Sequence, residues 1–283
     1  MPVVPFTTIV GTSAQLVILK GIGGVIVLRV FRAGPLSCEL STGMHHLLHL
    51  VFEIAAFAVG FAYYQWLRAK NGDAITEPKR VWIIIGAAAG ALLGSRVLGA
   101  LEQPQLLAWD WSALFVAFNN RTIVGGLLGG LIGVELTKLF IGERSSSGDL
   151  FTFPLILGMI VGRIGCLLGG LEDNTYGLAT NLPWGIDLGD GISRHPTNVY
   201  EILWLGGVWL FLISVERKWS FINGARFKIY ILLYLIFRFS VEWIKPQPPV
   251  FLHLSSIQLA CAAGILYYYR VWLMPRHLIQ PNA

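Results

Sequence analysis

Charge is scarce in this chain. Only 13% of its 283 residues are Asp, Glu, Lys or Arg, against 55% apolar residues, and the mean hydropathy is +0.64. Soluble domains carry about a quarter charged residues, so a water-solvated globule is excluded and lipid is the expected solvent. Cysteine is equally sparse. Cys38, Cys166 and Cys261 are scattered, without a Cys-x-x-Cys pair or ligand spacing, so neither a disulfide framework nor a metal site is read from them. Also missing are a Pro/Ser-rich linker and a basic stripe. The net charge of +5 lies mostly in short loops, which argues against nucleic acid as a partner.

What the chain has instead is a series of apolar runs, each about 20 residues long and so able to cross roughly 30 Å of hydrocarbon. They lie near 45–67, 81–101, 122–141, 150–170, 198–215, 226–245 and 253–273. The expected fold is an all-α, polytopic membrane bundle of seven transmembrane helices over residues 41–275, with an external loop at 171–197 and a tail at 276–283. Residues 1–40 fit less well. Leu16–Phe31 is apolar, but Lys20 interrupts it and Arg29 and Arg32 follow, so a signal-like or interfacial segment is expected there rather than an eighth span.

Loop charges give the orientation, because short cytoplasmic loops are rich in Lys and Arg. Arg68, Lys70, Lys79 and Arg80, then Arg217, Lys218 and Arg226, and finally Arg270 and Arg276 belong inside. The intervening segments carry Arg121, Arg194 or no basic residue and belong outside. The N-terminus is therefore expected outside and the C-terminus in the cytoplasm.

Ionisable residues inside spans cost several kcal/mol and mark function by default. At about 1.5 Å per residue, Arg96, Arg163 and Arg238 all fall roughly 7–11 Å below the outer boundary. Glu53 and Glu242 share that outer half, whereas Glu135 lies nearer the cytoplasm. Tyr234, Arg238 and Glu242, four apart, occupy one helix face directed into the bundle. Three arginines against two carboxylates leave surplus positive charge, which calls for an anion, or else Arg238 and Glu242 simply pair to aid assembly. An outer-leaflet phospholipid headgroup is the natural ligand, since guanidinium suits phosphate.

Other features are weaker. Gly86-Gly90-Gly94, Gly125/Gly126-Gly129/Gly130-Gly133 and Gly158-Gly162 with Gly165-Gly169 predict close helix packing, with spans two, three and four forming one tight core. The loop 171–197, with its Gly, Asn, Asp, Pro and Trp184, is expected as an ordered lid. His45, His46 and His49 read as interfacial residues rather than a metal site. His195, before Pro196 at the start of span five, is either a proton acceptor or a capping residue.

Several stretches, in order, resemble the prolipoprotein diacylglyceryl transferases: Gly162-Arg163-Ile164-Gly165-Cys166, Thr175-Tyr176-Gly177, Leu182-Pro183-Trp184-Gly185, Arg194-His195-Pro196-Thr197 with Tyr200-Glu201, and Phe237-Arg238 with Val241-Glu242-Trp243. Gly94-Ser95-Arg96-Val97, Gly125-Gly126-Leu127-Leu128-Gly129 and Gln258 extend the similarity over about residues 45–274. The resemblance implies a bacterial inner-membrane enzyme of lipoprotein biosynthesis. Such an enzyme moves the diacylglyceryl group of phosphatidylglycerol onto the lipobox cysteine of a prolipoprotein, forming a thioether and releasing glycerol phosphate.

The same resemblance implies Arg163, Arg238, Glu242 and Glu172 as catalytic residues, and Arg96, Tyr234, Gly177, His195, Gly125 and Gly126 as substrate-binding residues. Prolipoprotein signal peptides and membrane lipid are the implied partners of a monomer needing no cofactor or metal. Four departures make this a divergent member, one being that the family's Tyr-Gly on span one is not evident where His49-Leu50-Val51-Phe52-Glu53 stands. Val124 stands where the family has a histidine, Cys166 where it has an asparagine, and the loop glutamate is displaced, leaving Glu172 as its equivalent. Glu242, Glu172 and His195 are the alternatives for proton acceptor. A transferase with another acceptor, or a non-catalytic phospholipid-binding or transport protein, are the competing functions.

Overall fold

The computed structural model describes the backbone at residues 10–11, 14–21, 24–30, 36–102, 120–173, 175–246, 250 and 253–279, and side chains from Leu47 onward except those of Glu172 and Pro275. It divides into two compact units, residues 1–47 and 48–283.

In the first unit, strands β1 (Val10–Gly11), β2 (Ala14–Gly21) and β3 (Gly24–Val30) form an antiparallel sheet in sequence order. Leu16 stands opposite Arg29 and Val17 opposite Leu28. The apolar run that tempts an eighth span is thus paired strand. Its β-branched residues Val17, Ile18, Val25, Ile26 and Val27 suit a pleated surface, and Gly21 and Gly24 end the strands.

The second unit is helical. Its elements are α1 (Leu36–Asn71, beginning in the first unit), α2 (Glu77–Leu101), α3 (Ile123–Ile141), α4 (Asp149–Gly169), α5 (Thr197–Glu216), α6 (Ala225–Val241), α7 (Ser256–Tyr267) and α8 (Tyr269–Leu273). Five of them are long and apolar enough to cross a membrane: Leu47–Asn71 of α1, and α2 to α5. Their ends carry local stop signals. Thr122 accepts a hydrogen bond from the Gly125 amide at the start of α3, and Gly142 closes that helix at φ 64°. Ser255 and Gln258 cap α7 reciprocally. Large apolar side chains such as Phe140, Leu139 and Phe57 point outward, where lipid and not water is the matching solvent.

Helix packing follows the small residues. A β-carbon on Gly90 would lie 2.2 Å from the Gly129 carbonyl oxygen, and one on Gly94 2.3 Å from that of Gly125. So α2 and α3 meet backbone to backbone, which only glycine permits. Span four does not join that contact, contrary to the expectation of a single three-helix core. Gly158 and Gly165 of α4 instead face Ala56 and Phe52 of α1, and Gly60 of α1 faces Pro154. Spacing shows which helix face is small but not which neighbour takes it. A buried apolar centre of Ile156, Leu205, Leu212, Ile231 and Leu235 joins α4, α5 and α6.

The segment 175–196 is ordered. Short strands β4 (Ile186–Asp187) and β5 (Ser193–Arg194) pair antiparallel. The Gly177 amide donates to the His195 carbonyl at 3.1 Å and the Leu178 amide to that of Ile244 at 2.8 Å. Those bonds fasten the loop to the turn Glu242–Ile244 that ends α6.

Candidate active site

Four charged side chains meet in the interior of the second unit. Arg163 comes from α4, Glu201 from the second turn of α5, and Arg238 and Glu242 from the end of α6. None exposes more than 5% of its surface. Glu201 sits between the two arginines, 2.9 Å from Arg163 Nη2 and 3.6 Å from Arg238 Nη1. Its other oxygen accepts from the Tyr234 hydroxyl at 2.9 Å. Arg238 also pairs with Glu242 at 3.2 Å. Removing one member would leave a buried charge without its partner, a cost of about 3–5 kcal/mol.

Glu201 changes the charge balance read from sequence. Counting Arg96, Arg163 and Arg238 against Glu53 and Glu242 gave a positive surplus. In the structure Glu53 pairs with Arg121 at the surface, 3.1 Å away, and Arg163 and Arg238 face Glu201 and Glu242, two cations to two anions. Arg96 lies half-buried on α2, beside the glycines that close on α3. Glu201 escaped the layer count because it stands at the edge of its span. Its signal was the Tyr200-Glu201 pair, already part of the resemblance.

A third cation restores the surplus. Lys245, just beyond the α6 end, is pushed down to about 8 by burial, then by the charges of Arg238 and Arg163, with Glu242 and Glu201 opposing. Glu102, at the C-terminal end of α2, is raised to about 7 by burial first and then by Glu242, while Lys245 and Arg238 oppose. Near neutral pH Lys245 is therefore mostly charged, while the Glu102 carboxyl is at the midpoint of its titration.

The arginines also keep hydrogen-bonding capacity. Among the described residues, Arg163 Nε, Arg238 Nε and Nη1, and Glu242 Oε1 are buried without a hydrogen-bond partner. Buried donors left this way are rare and need a reason. Three N–H donors on two neighbouring guanidiniums match the oxygens of a phosphate.

These residues lie within the stretch, 48–274, that matches the family described as prolipoprotein diacylglyceryl transferase. The chain belongs to the prolipoprotein diacylglyceryl transferase family. It is 31% identical over 273 residues to the phosphatidylglycerol–prolipoprotein diacylglyceryl transferase of Solidesulfovibrio magneticus, covering 88% of this chain and 94% of that one. The Coxiella burnetii enzyme is 32% identical over 77% of this chain and 82% of its own length. For Clostridioides difficile the figures are 31%, 68% and 80%.

The other residues implied by the transferase resemblance take varied places. Gly177 has its role in the loop seam, since a β-carbon there would lie 2.6 Å from that of His195 and 3.0 Å from the Ile244 carbonyl. His195 does not cap α5, whose N-cap is Pro196. Its Nδ1 lies 3.2 Å from the Tyr200 hydroxyl, which accepts from Trp184 Nε1 at 2.9 Å. Gly125 packs against Gly94 in the α2–α3 contact, with Gly126 near Ser95. Glu172 stands on the short turn Gly170–Asp173, and its side chain lies outside the described residues. Val124, in place of the transferase histidine, is fully buried in the apolar core. Gln258 caps α7 and donates to the Phe239 carbonyl at 3.4 Å.

Proposed function

We propose that this transferase binds phosphatidylglycerol by its phosphate at Arg163 and Arg238 and moves its diacylglyceryl group to a prolipoprotein cysteine thiol in a bacterial inner membrane. The observation that carries this is the pair of buried arginines with three guanidinium nitrogens that make no hydrogen bond among the described residues. Glu201, held by Tyr234, fixes both guanidiniums before substrate arrives. Charge grows on the phosphate as the glycerol C–O bond breaks, and preorganised cations stabilise it more than the ground state. The thiol sulfur attacks that carbon, a thioether forms, and glycerol phosphate leaves.

The thiol proton needs an acceptor, and a free thiol with pKa near about 8.5 needs only modest help. Glu242 is the best placed of the three alternatives. Its Oε2 is held by Arg238 while its Oε1 has no partner among the described residues. Val124 removes the histidine alternative at that position, which suits a base drawn from the α6 end.

Seven spans complete the reading. α6 runs directly into the turn Glu242–Ile244, and α7 with α8 covers Ser256 to Leu273, about 27 Å at helical rise. The basic loops face the cytoplasm, the N-terminus lies outside, and the arginine pair opens toward the outer leaflet.

Complementation of a strain depleted of its own transferase tests the function. Rescue is expected, with transfer of labelled diacylglycerol to prolipoprotein lost by at least about a hundredfold in Arg163→Ala and Arg238→Ala. Bound phospholipid without rescue would make the chain a lipid-binding protein, and unchanged transfer in both variants would remove this site from the chemistry.

A further inference from the structure

His49 on α1, Cys166 on α4 and Asp173 on the turn Gly170–Asp173 converge although 117 and 7 residues separate them in sequence. We propose that they form a binding site for a divalent cation of the zinc class, a role that the transfer reaction does not require. Their donor atoms all lie within 4.8 Å of one another, with His49 Nε2 3.0 Å from Asp173 Oδ1. A tetrahedral ion with bonds of about 2.0–2.3 Å holds its ligand atoms roughly 3.3–3.8 Å apart, so the set closes on the ion by a shift of about 1 Å. Imidazole, thiolate and carboxylate together select a borderline-soft ion over calcium or magnesium. Three protein ligands leave a fourth position for water.

The surroundings support ligation. Asp173 Oδ2 accepts from Thr175 Oγ1 at 2.8 Å, and Thr175 Oγ1 accepts from Asn198 Nδ2 at 3.0 Å. Such outer bonds orient a ligating carboxylate. Gly169 keeps the centre open, since a β-carbon there would stand 3.3 Å from Asp173 Cβ and 3.7 Å from His49 Cδ2. Charge balances too. The double charge of the ion is met by the Asp173 carboxylate and the Cys166 thiolate, whose proton leaves to water on binding. Arg163 Nη1 lies 3.8 Å from the sulfur. Occupancy would tie α1 to the first turn of the external segment, next to the active arginine.

The purified full chain in detergent micelles, titrated with Co2+ and then Zn2+, tests the site. One equivalent of Co2+ per chain is expected, with a thiolate-to-metal charge-transfer band that Zn2+ removes. Cys166→Ser and Cys166→Asn, the latter restoring the family residue, lose the band. His49→Ala and Asp173→Asn weaken binding by at least about tenfold. Absence of the band at micromolar Co2+ overturns the proposal, as does a band that survives Cys166→Ser and disappears in Cys38→Ser or Cys261→Ser. Because the readout is spectroscopic, failure here leaves the transferase reading untouched.

Discussion

Single side chains set the electrostatics of this site, and two of them titrate near physiological pH. Glu102 stays protonated up to about 7 because burial and Glu242 disfavour its anion. Above that it adds negative charge within electrostatic reach of Glu242, Lys245 and Arg238. Lys245, held down to about 8 by burial and the arginines, then loses its positive charge as pH rises further. Both changes subtract from the positive potential that holds a phosphate, so headgroup affinity is greatest below about 7 and falls in two steps. Each step is expected at about 1 kcal/mol, roughly fivefold, the order of one well-screened unit charge acting on another. Lipid KM measured from about pH 6 to about pH 9 should rise accordingly. Glu102→Gln removes the lower step, and Lys245→Met gives a high KM throughout without the upper one. A lipid KM that stays flat in the parent protein would show that neither group faces the substrate.

At the scale of elements, the bundle rests on two close helix contacts of different kinds. Between α2 and α3 the glycine stripes leave no room, since a β-carbon on Gly133 would stand 2.1 Å from the Gly86 carbonyl oxygen. Between α1 and α4 the backbone approach is looser, since a β-carbon on Gly158 would stand 3.2 Å from the Ala56 carbonyl oxygen. Gly90→Ala must therefore push α2 and α3 apart, costing about 1–3 kcal/mol as overpacking does, whereas Gly162→Ala, 3.9 Å from Ala56 Cβ, should be tolerated. Thermal unfolding in detergent compares the two. Equal midpoints would mean that the α2–α3 seam relaxes and is not a rigid part of the fold. Because Arg96, Gly125 and Gly126, which the resemblance implies as substrate-binding, lie on this seam, Gly90→Ala is also expected to reduce transfer more than Gly162→Ala.

For the whole molecule, the end that carries the basic loops is stitched by charge. Arg80, only 2% exposed, pairs with Asp73, Lys79 reaches Glu143 at 3.0 Å, and Asp149 accepts from the Phe227 amide at 3.0 Å. Single cysteines placed at Lys70, Lys79 or Lys218 in a cysteine-free background should label with a membrane-impermeant maleimide only after the inner face is opened. Cysteines at Asp187 or Asp190 should label from outside, and the reverse pattern would invert the topology. Most of this architecture was legible in the sequence, because a helix in lipid must satisfy its own backbone and so announces itself as one continuous apolar run. The runs that stand as α1 to α5, long and apolar enough to cross a membrane, are of that local kind. Glu201 as the bridge between the arginines, α1 rather than α3 as the partner of the α4 glycines, the strands at 14–30, and the meeting of His49 with Cys166 and Asp173 are not. Hydropathy and periodicity record how each segment meets its solvent, while pairings between segments depend on rotation and neighbour choice, which only the packed tertiary structure decides.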